Sequence, residues 1–242
     1  MRTDVLDLHA FYDSPLGAAA RAFIASRIAE AWGEAKQCRI AGFGYASPYL
    51  GGFAGAERVL ALAPAAQGVM GWPADAGNRA GLVDEYRWPL PDASIDRLLI
   101  VHGLEEAGDP RRLMREAWRV LTNDGKVIIV AAHRRGLWSI VETTPFAAGR
   151  PYLKRQLKNL LNETLFRDDA WSAALYFPPF GARFLLRAAP AWEGAGSKLW
   201  PGLGGVLMVE ATKSLMAPVV QVQRARAGAL RPAAARRVPQ RA

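Results

Sequence analysis

Cysteine is almost absent from this chain of 242 residues, where Cys38 is the only thiol. That excludes an internal disulfide and any thiolate metal cluster, and leaves Cys38, at the head of an apolar run, as a small core residue. Histidine is scarce too, and His9, His102 and His133 lie too far apart in sequence to suggest a zinc ligand set; no metal site is expected. The chain lacks a phosphate-binding lysine loop and a nucleophile elbow, which argues against a nucleotide hydrolase or an esterase. No apolar run approaches the ~18 residues of a membrane helix, and the start, Met1-Arg2-Thr3-Asp4, turns acidic before any leader-like apolar stretch. These absences read as a soluble cytoplasmic protein. Acid is missing altogether from residues 217–242, which hold Arg224, Arg226, Arg231, Arg236, Arg237 and Arg241. Removing those six charges from the formal +9 leaves about +3 for the rest, so the basic character belongs mostly to the tail.

What is present is apolar content of 51%, enough for one α/β domain with a large core. The organising stretch is Cys38 to Tyr49, an apolar strand running into the turn Gly42-Phe43-Gly44-Tyr45, with Ser47 as N-cap and Pro48 at the first helical position. Backbone donors at such a helix start favour anionic or electron-rich ligand groups. Ahead of it, Leu16 to Trp32 has helical spacing behind a Ser14-Pro15 start. Phe11-Tyr12 reads either as a flap over a pocket near the glycine turn or as an aromatic staple for the N-terminus.

Strands are expected at Arg58–Ala63, Gly81–Tyr86, Ile95–Val101 and Lys126–Ala131, with a helix at Arg111–Leu121. The alternation predicts a parallel sheet with right-handed crossovers and helices on both faces. Ligands in such sheets sit beyond the C-terminal strand ends, which gathers Gly42–Ser47, Ala63, Asp84 and His102 around one crevice. Later come a helix at Lys154–Asn162, a strand at Trp171–Phe177, helical character at Arg183–Trp192 and a last strand at Val206–Ala211. The expected organisation is one domain over 1–216, with 136–204 supplying substrate-pocket walls and an antiparallel hairpin at the sheet edge. Residues 217–242 read as a disordered Arg-rich tail.

Four stretches carry a resemblance: Ile40 to Tyr45, Asp84, Trp88-Pro89-Leu90-Pro91-Asp92-Ala93-Ser94-Ile95-Asp96, and Arg119-Val120-Leu121-Thr122-Asn123-Asp124-Gly125-Lys126. Together they resemble the class I S-adenosylmethionine-dependent methyltransferases of the small-molecule, type 11 kind, over roughly residues 12–135. The resemblance implies a Rossmann-like seven-stranded sheet and S-adenosylmethionine as cofactor. It places Gly42, Phe43, Gly44 and Tyr45 against the methionine part and Asp84, followed by Glu85, at the adenine amino group. Where the family usually has a ribose-binding acid, this chain has Ala63, followed by Pro64. Arg39 and Ile40 stand where an acid often precedes the glycine turn, and Ala46 or Ser47 replaces its third glycine.

His102, ending the most apolar strand, is the candidate base and also borders the cofactor, because imidazole titrates near neutral pH; a structural histidine is its alternative. Tyr12 and Tyr45 are candidates for contact with the cofactor carboxylate. Glu105 and Glu106 read as a cation-binding pair or a solvated loop, and His133-Arg134-Arg135 as an anion-binding group or a solvated loop. Trp138, Tyr152, Tyr176 and Phe177 are candidates for an apolar pocket. The resulting expectation is methyl transfer to a small-molecule or lipid-like acceptor. The competing reading is a catalytically degenerate fold used for binding or regulation, with nucleic acid or an acidic partner met only through the tail.

Overall fold

Apolar segments of alternating side-chain direction assemble the sheet. In the computed structural model, which describes residues 2–215, they are β1 (Arg39–Gly44), β2 (Arg58–Pro64), β3 (Ala80–Val83), β4 (Ile95–Val101), β5 (Leu121–Ala132), β6 (Phe166–Ala174) and β7 (Val206–Lys213). The tail read at 217–242 lies outside the described residues. Strand order is β3-β2-β1-β4-β5-β7-β6. The pairs from β3 through β5 are parallel, while β7 runs antiparallel between β5 and β6. The Rossmann-like sheet with an antiparallel pair at its C-terminal edge is therefore as expected.

Successive side chains of a strand point to opposite faces, and β4 shows the result. Leu98 and Ile100 join a core with α4 (Pro110–Val120) and α5 (Lys154–Glu163), through Leu113, Met114, Ala117, Leu157 and Leu161. Leu99 and Val101 join the opposite core, with α1 (Val5–Asp13), α2 (Pro15–Trp32) and α6 (Arg183–Leu199), through Leu8, Ala20, Ile24, Ile28 and Ala189. Each fully buried aliphatic side chain contributes about 1.5–3 kcal/mol, so a strand buried on both faces anchors both layers.

The Trp88–Asp96 motif has a structural explanation. Arg119 Nη1 donates to Leu90 O (2.8 Å) and Asp92 Oδ1 (2.6 Å), and its Nη2 to Trp88 O (3.1 Å) and Glu116 Oε1 (2.6 Å). Glu116 Oε1 also accepts the Trp88 N–H at 2.6 Å. This clamp holds the turn before β4 onto the end of α4. The hydrogen bond to Glu116 drives the Arg119 pKa up.

Several boundaries differ from the sequence reading. An additional helix, α1, precedes α2, capped by the Asp4 side chain on the Leu6 N–H. Ser47 is not an N-cap, since the four-residue α3 (Ser47–Leu50) starts from Ala46 without a side-chain cap bond. The strand expected at 171–177 runs Phe166–Ala174, because pairing with β7 rather than local β propensity sets its register. The helical segment at 183–192 continues to Leu199 through Pro190.

Candidate functional site

The turn after β1 is shaped first by the chain's own packing. Gly44 has φ +82°, and a Cβ there would lie 2.2 Å from Val101 O; a Cβ on Gly42 would lie 2.6 Å from the Ala46 Cβ. Glycine is thus needed for β1 to approach β4 and α3 closely. Phe43 faces the α4 side, fully buried and stacked on Trp88 with centroids 4.8 Å apart. Tyr45, at the turn, stacks on Tyr12 at 5.5 Å.

α1 lies over this turn. The Tyr49 hydroxyl donates to the Tyr12 oxygen at 3.0 Å, which leaves the Tyr12 O–H for His102 Nε2 at 2.8 Å. Nε2 is then the acceptor of a neutral imidazole. Burial holds the His102 pKa down at about 3 and pushes the Tyr12 phenol well up. His102 takes φ +49°, so the chain turns sharply as it leaves β4. Phe146 closes the other side of its ring, centroids 4.8 Å apart.

Two carboxylates expected side by side diverge. Asp84 is exposed and its Oδ1 accepts the Tyr86 N–H at 2.9 Å, a local turn contact. Glu85 points inward and holds Arg2, whose Nη2 lies 2.5 Å from Glu85 Oε1 and 3.1 Å from Gly103 O. Glu105 and Glu106 are structural in a way neither reading anticipated. Buried Glu105 accepts the Ala132 N–H at 2.7 Å, with its carboxyl pKa raised by burial, and Glu106 accepts the Thr3 N–H at 2.8 Å.

Ala63, the penultimate residue of β2, lies near a residue that had no signal in the sequence. Gln67 is 1% exposed and neither atom of its side-chain amide has a partner. With Gly44, Tyr45, Ala63 and Val5 it lines a cavity of about 30 Å³. Small-molecule sites run to about 300–1,000 Å³. The rest of the crevice is filled by the N-terminal segment from Arg2 to Tyr12, tied down further by Val5 N–H to Gln67 O at 2.8 Å. The structure thus brings together Tyr12, Gly44, Tyr45, Ala63, Glu85 and His102, turns Asp84 outward and buries Phe43 on the other face. Arg2 and Gln67 complete the site and were missed. The helical spacing of Val5, Leu8 and Tyr12 was the available signal for α1; an isolated glutamine in a loop carries none.

The aromatic residues of the second half divide. Trp138 and Phe177 are core, with the Trp138 indole N–H donating to Phe177 O at 2.8 Å.

The strand order, with a glycine turn ending β1 at the crevice, defines the class I methyltransferase fold. Residues 41–129 match the family model described as a methyltransferase domain. That stretch is similar to a methyltransferase domain and contains both Trp88–Asp96 and Arg119–Lys126, where the sequence resemblance was seen. The uncharacterised protein YafS of Escherichia coli strain K12 is 32% identical over 136 residues, covering 54% of this chain and 53% of that protein. The matched region thus spans about half the length of that relative. Among solved structures, an S-adenosylmethionine-dependent methyltransferase from Mesorhizobium loti aligns with a TM-score of 0.54 at 16% identity, covering 78% of this chain and 96% of that one. One from Archaeoglobus fulgidus gives 0.53 at 16%, covering 80% and 94%. The [4+2]-cyclase SpnF gives 0.57 at 18%, covering 80% of each chain. Identities this low establish a shared fold, and a cyclase on it means that the reaction has to be argued from the site. Among the described residues no helix is long and apolar enough to cross a membrane, and no group of potential metal ligands occurs.

Proposed function

We propose that this protein transfers a methyl group from S-adenosylmethionine to a small-molecule or lipid-like acceptor, with the crevice under α1 as the cofactor site. The observation that carries the reading is the buried, unpartnered Gln67 amide beside Gly44 and Ala63 at the C-terminal ends of β1 and β2. A buried amide without partners costs about 1–3 kcal/mol, which a ligand bearing hydroxyl groups relieves. The donor and acceptor set suits the cofactor, and the space does so once α1 withdraws.

In that state the Gly42–Tyr45 turn offers backbone groups to the amino-acid end of the cofactor. Gln67 serves hydroxyl groups where Ala63 has no carboxylate, and Glu85, freed from Arg2, and Asp84 supply acceptors for an amino group. The bound cofactor supplies an electrophilic methyl on a sulfonium. His102, released from Tyr12, then takes the acceptor's proton at Nε2, since a solvated imidazole is a far better base than one held at a pKa of about 3.

Calorimetric titration of the full chain with S-adenosylmethionine and S-adenosylhomocysteine tests this reading. Micromolar binding, weakened about tenfold in Gln67→Ala as expected for one or two lost hydrogen bonds, supports it. No binding at millimolar ligand replaces it with the non-catalytic binding module.

A further inference from the structure

A much larger concavity than the one beside Gly44 lies at the antiparallel edge of the sheet. It is a groove of about 820 Å³ around the last residues of β6, reaching Leu207 of β7 and the loop that follows β5. Its charged lining is of one sign: Arg27, Arg135, Lys154 and Arg155, with His133 at its inner end and no carboxylate among the described lining residues. Arg27 is offset by Glu30 at 2.8 Å, and Lys154 Nζ sits 4.8 Å from the Trp171 ring centroid. Arg135 and Arg155 are exposed and make no ion pair among the described residues. His133 donates from Nδ1 to Gly204 O at 3.0 Å, and its pKa is lowered mainly by burial, with Arg135 adding to the shift. Trp171 and Tyr176 supply flat apolar walls, and Ser172 and Ser197 supply hydroxyls.

Like charges gathered around a concavity repel one another and focus a positive potential into it, a cost that a bound anion removes. Free guanidinium forks match the two oxygens of a phosphate or carboxylate, and the rings suit a planar apolar body. The volume is that of a small-molecule site. The groove shares no lining residue with the cavity beside Gly44. The ring chain His102–Phe146–Trp138–Phe177 runs from the crevice toward Tyr176 at the groove, and none of these four residues lines it. We propose that this groove is a second ligand site, for an anionic small molecule whose oxyanion head lies among Arg135, Lys154 and Arg155 and whose flat apolar body lies against Trp171 and Tyr176. The proposal does not depend on the methyltransferase reading.

Calorimetry with the full chain tests it, using 1-naphthyl phosphate, 1-naphthoate and the uncharged 1-naphthol as probes. At low salt at least one of the two anions is expected to bind at least about tenfold more tightly than naphthol and to weaken as salt is raised, as charge pairing requires; which anion binds better identifies the head group. The double variant Arg135→Ala/Arg155→Ala removes two side chains without partners and is expected to lose at least about tenfold of that affinity. The control Arg58→Ala/Arg79→Ala removes the same charge at exposed positions outside the groove and is expected to bind as the parent does. Naphthol binding as tightly as the anions, equal losses in the two double variants, or no anion binding at all overturns the proposal.

Discussion

Arg2→Ala is the substitution that isolates the closure of the crevice by the N-terminal segment. Arg2 contributes an ion pair to Glu85 at 2.5 Å and a bond to Gly103 O at 3.1 Å. Bonds to charged groups contribute about 1.5–3 kcal/mol each. Against this, the Arg2 guanidinium is almost wholly buried, and its Nε and Nη1 have no partners, so desolvation cancels much of the gain. Glu85 keeps 21% of its side chain exposed and can be hydrated once Arg2 is gone. The net effect is a loss of about 1 kcal/mol in the docking of α1, or about a fivefold larger open population. Amide exchange at Leu8 and along α1 is expected to accelerate by that factor, and the dissociation constant for S-adenosylhomocysteine to fall by about the same amount. Unchanged exchange together with an unchanged dissociation constant refutes the gating argument. Faster exchange with no ligand binding in either protein leaves the gate standing and removes the cofactor from it.

Acidification is expected to weaken the closed fold through His102. Its folded pKa of about 3 lies below the ordinary value of about 6.5, so between those limits the unfolded chain binds a proton that the folded chain excludes. Stability is lost as pH falls, by about 1.4 kcal/mol per unit. Buried Glu105, with its raised pKa, acts in the opposite sense. Urea unfolding at pH 7.5 and 5.5 should therefore be compared with His102→Asn, whose smaller pH dependence isolates the imidazole; equal slopes would count against the burial argument. Gly44→Ala is expected to cost at least about 3 kcal/mol, from strain at positive φ together with the clash on Val101 O, read as a lowered melting temperature. Arg119→Lys retains the charge but cannot make the five contacts of the clamp. It is expected to cost about 2 kcal/mol in denaturant unfolding, and a loss below about 0.5 kcal/mol would mean that the turn holds itself.

Apolar patterning in the sequence determined the central parallel strands and the need for a layer on each face of them. Beyond Asp96 and Arg97 the run Leu98–Val101 is wholly apolar, and that pattern requires cover on both faces; β4 occupies Ile95–Val101, as expected. Leu113, Met114 and Ala117, apolar at helical spacing, lie on the buried side of α4, where Glu116, polar in the sequence pattern, joins them because it accepts the Trp88 N–H. Gly42 and Gly44 were legible as a turn because few other residues tolerate the backbone, although the reason proved to be packing against Val101 and Ala46. Tertiary structure alone decided the rest. Whether Asp84 or Glu85 faces the crevice depends on how the chain turns after β3. That Gln67, four residues beyond Ala63, ends up unpartnered beside Gly44 depends on a loop with no periodicity to read. Arg2 meets Glu85 and Gly103 across 83 and 101 residues of sequence, and the basic groove draws on α2, α5, β6, α6, β7 and the loop after β5. Local patterns specify which face of an element is apolar; which distant polar groups then meet is fixed only when the layers close.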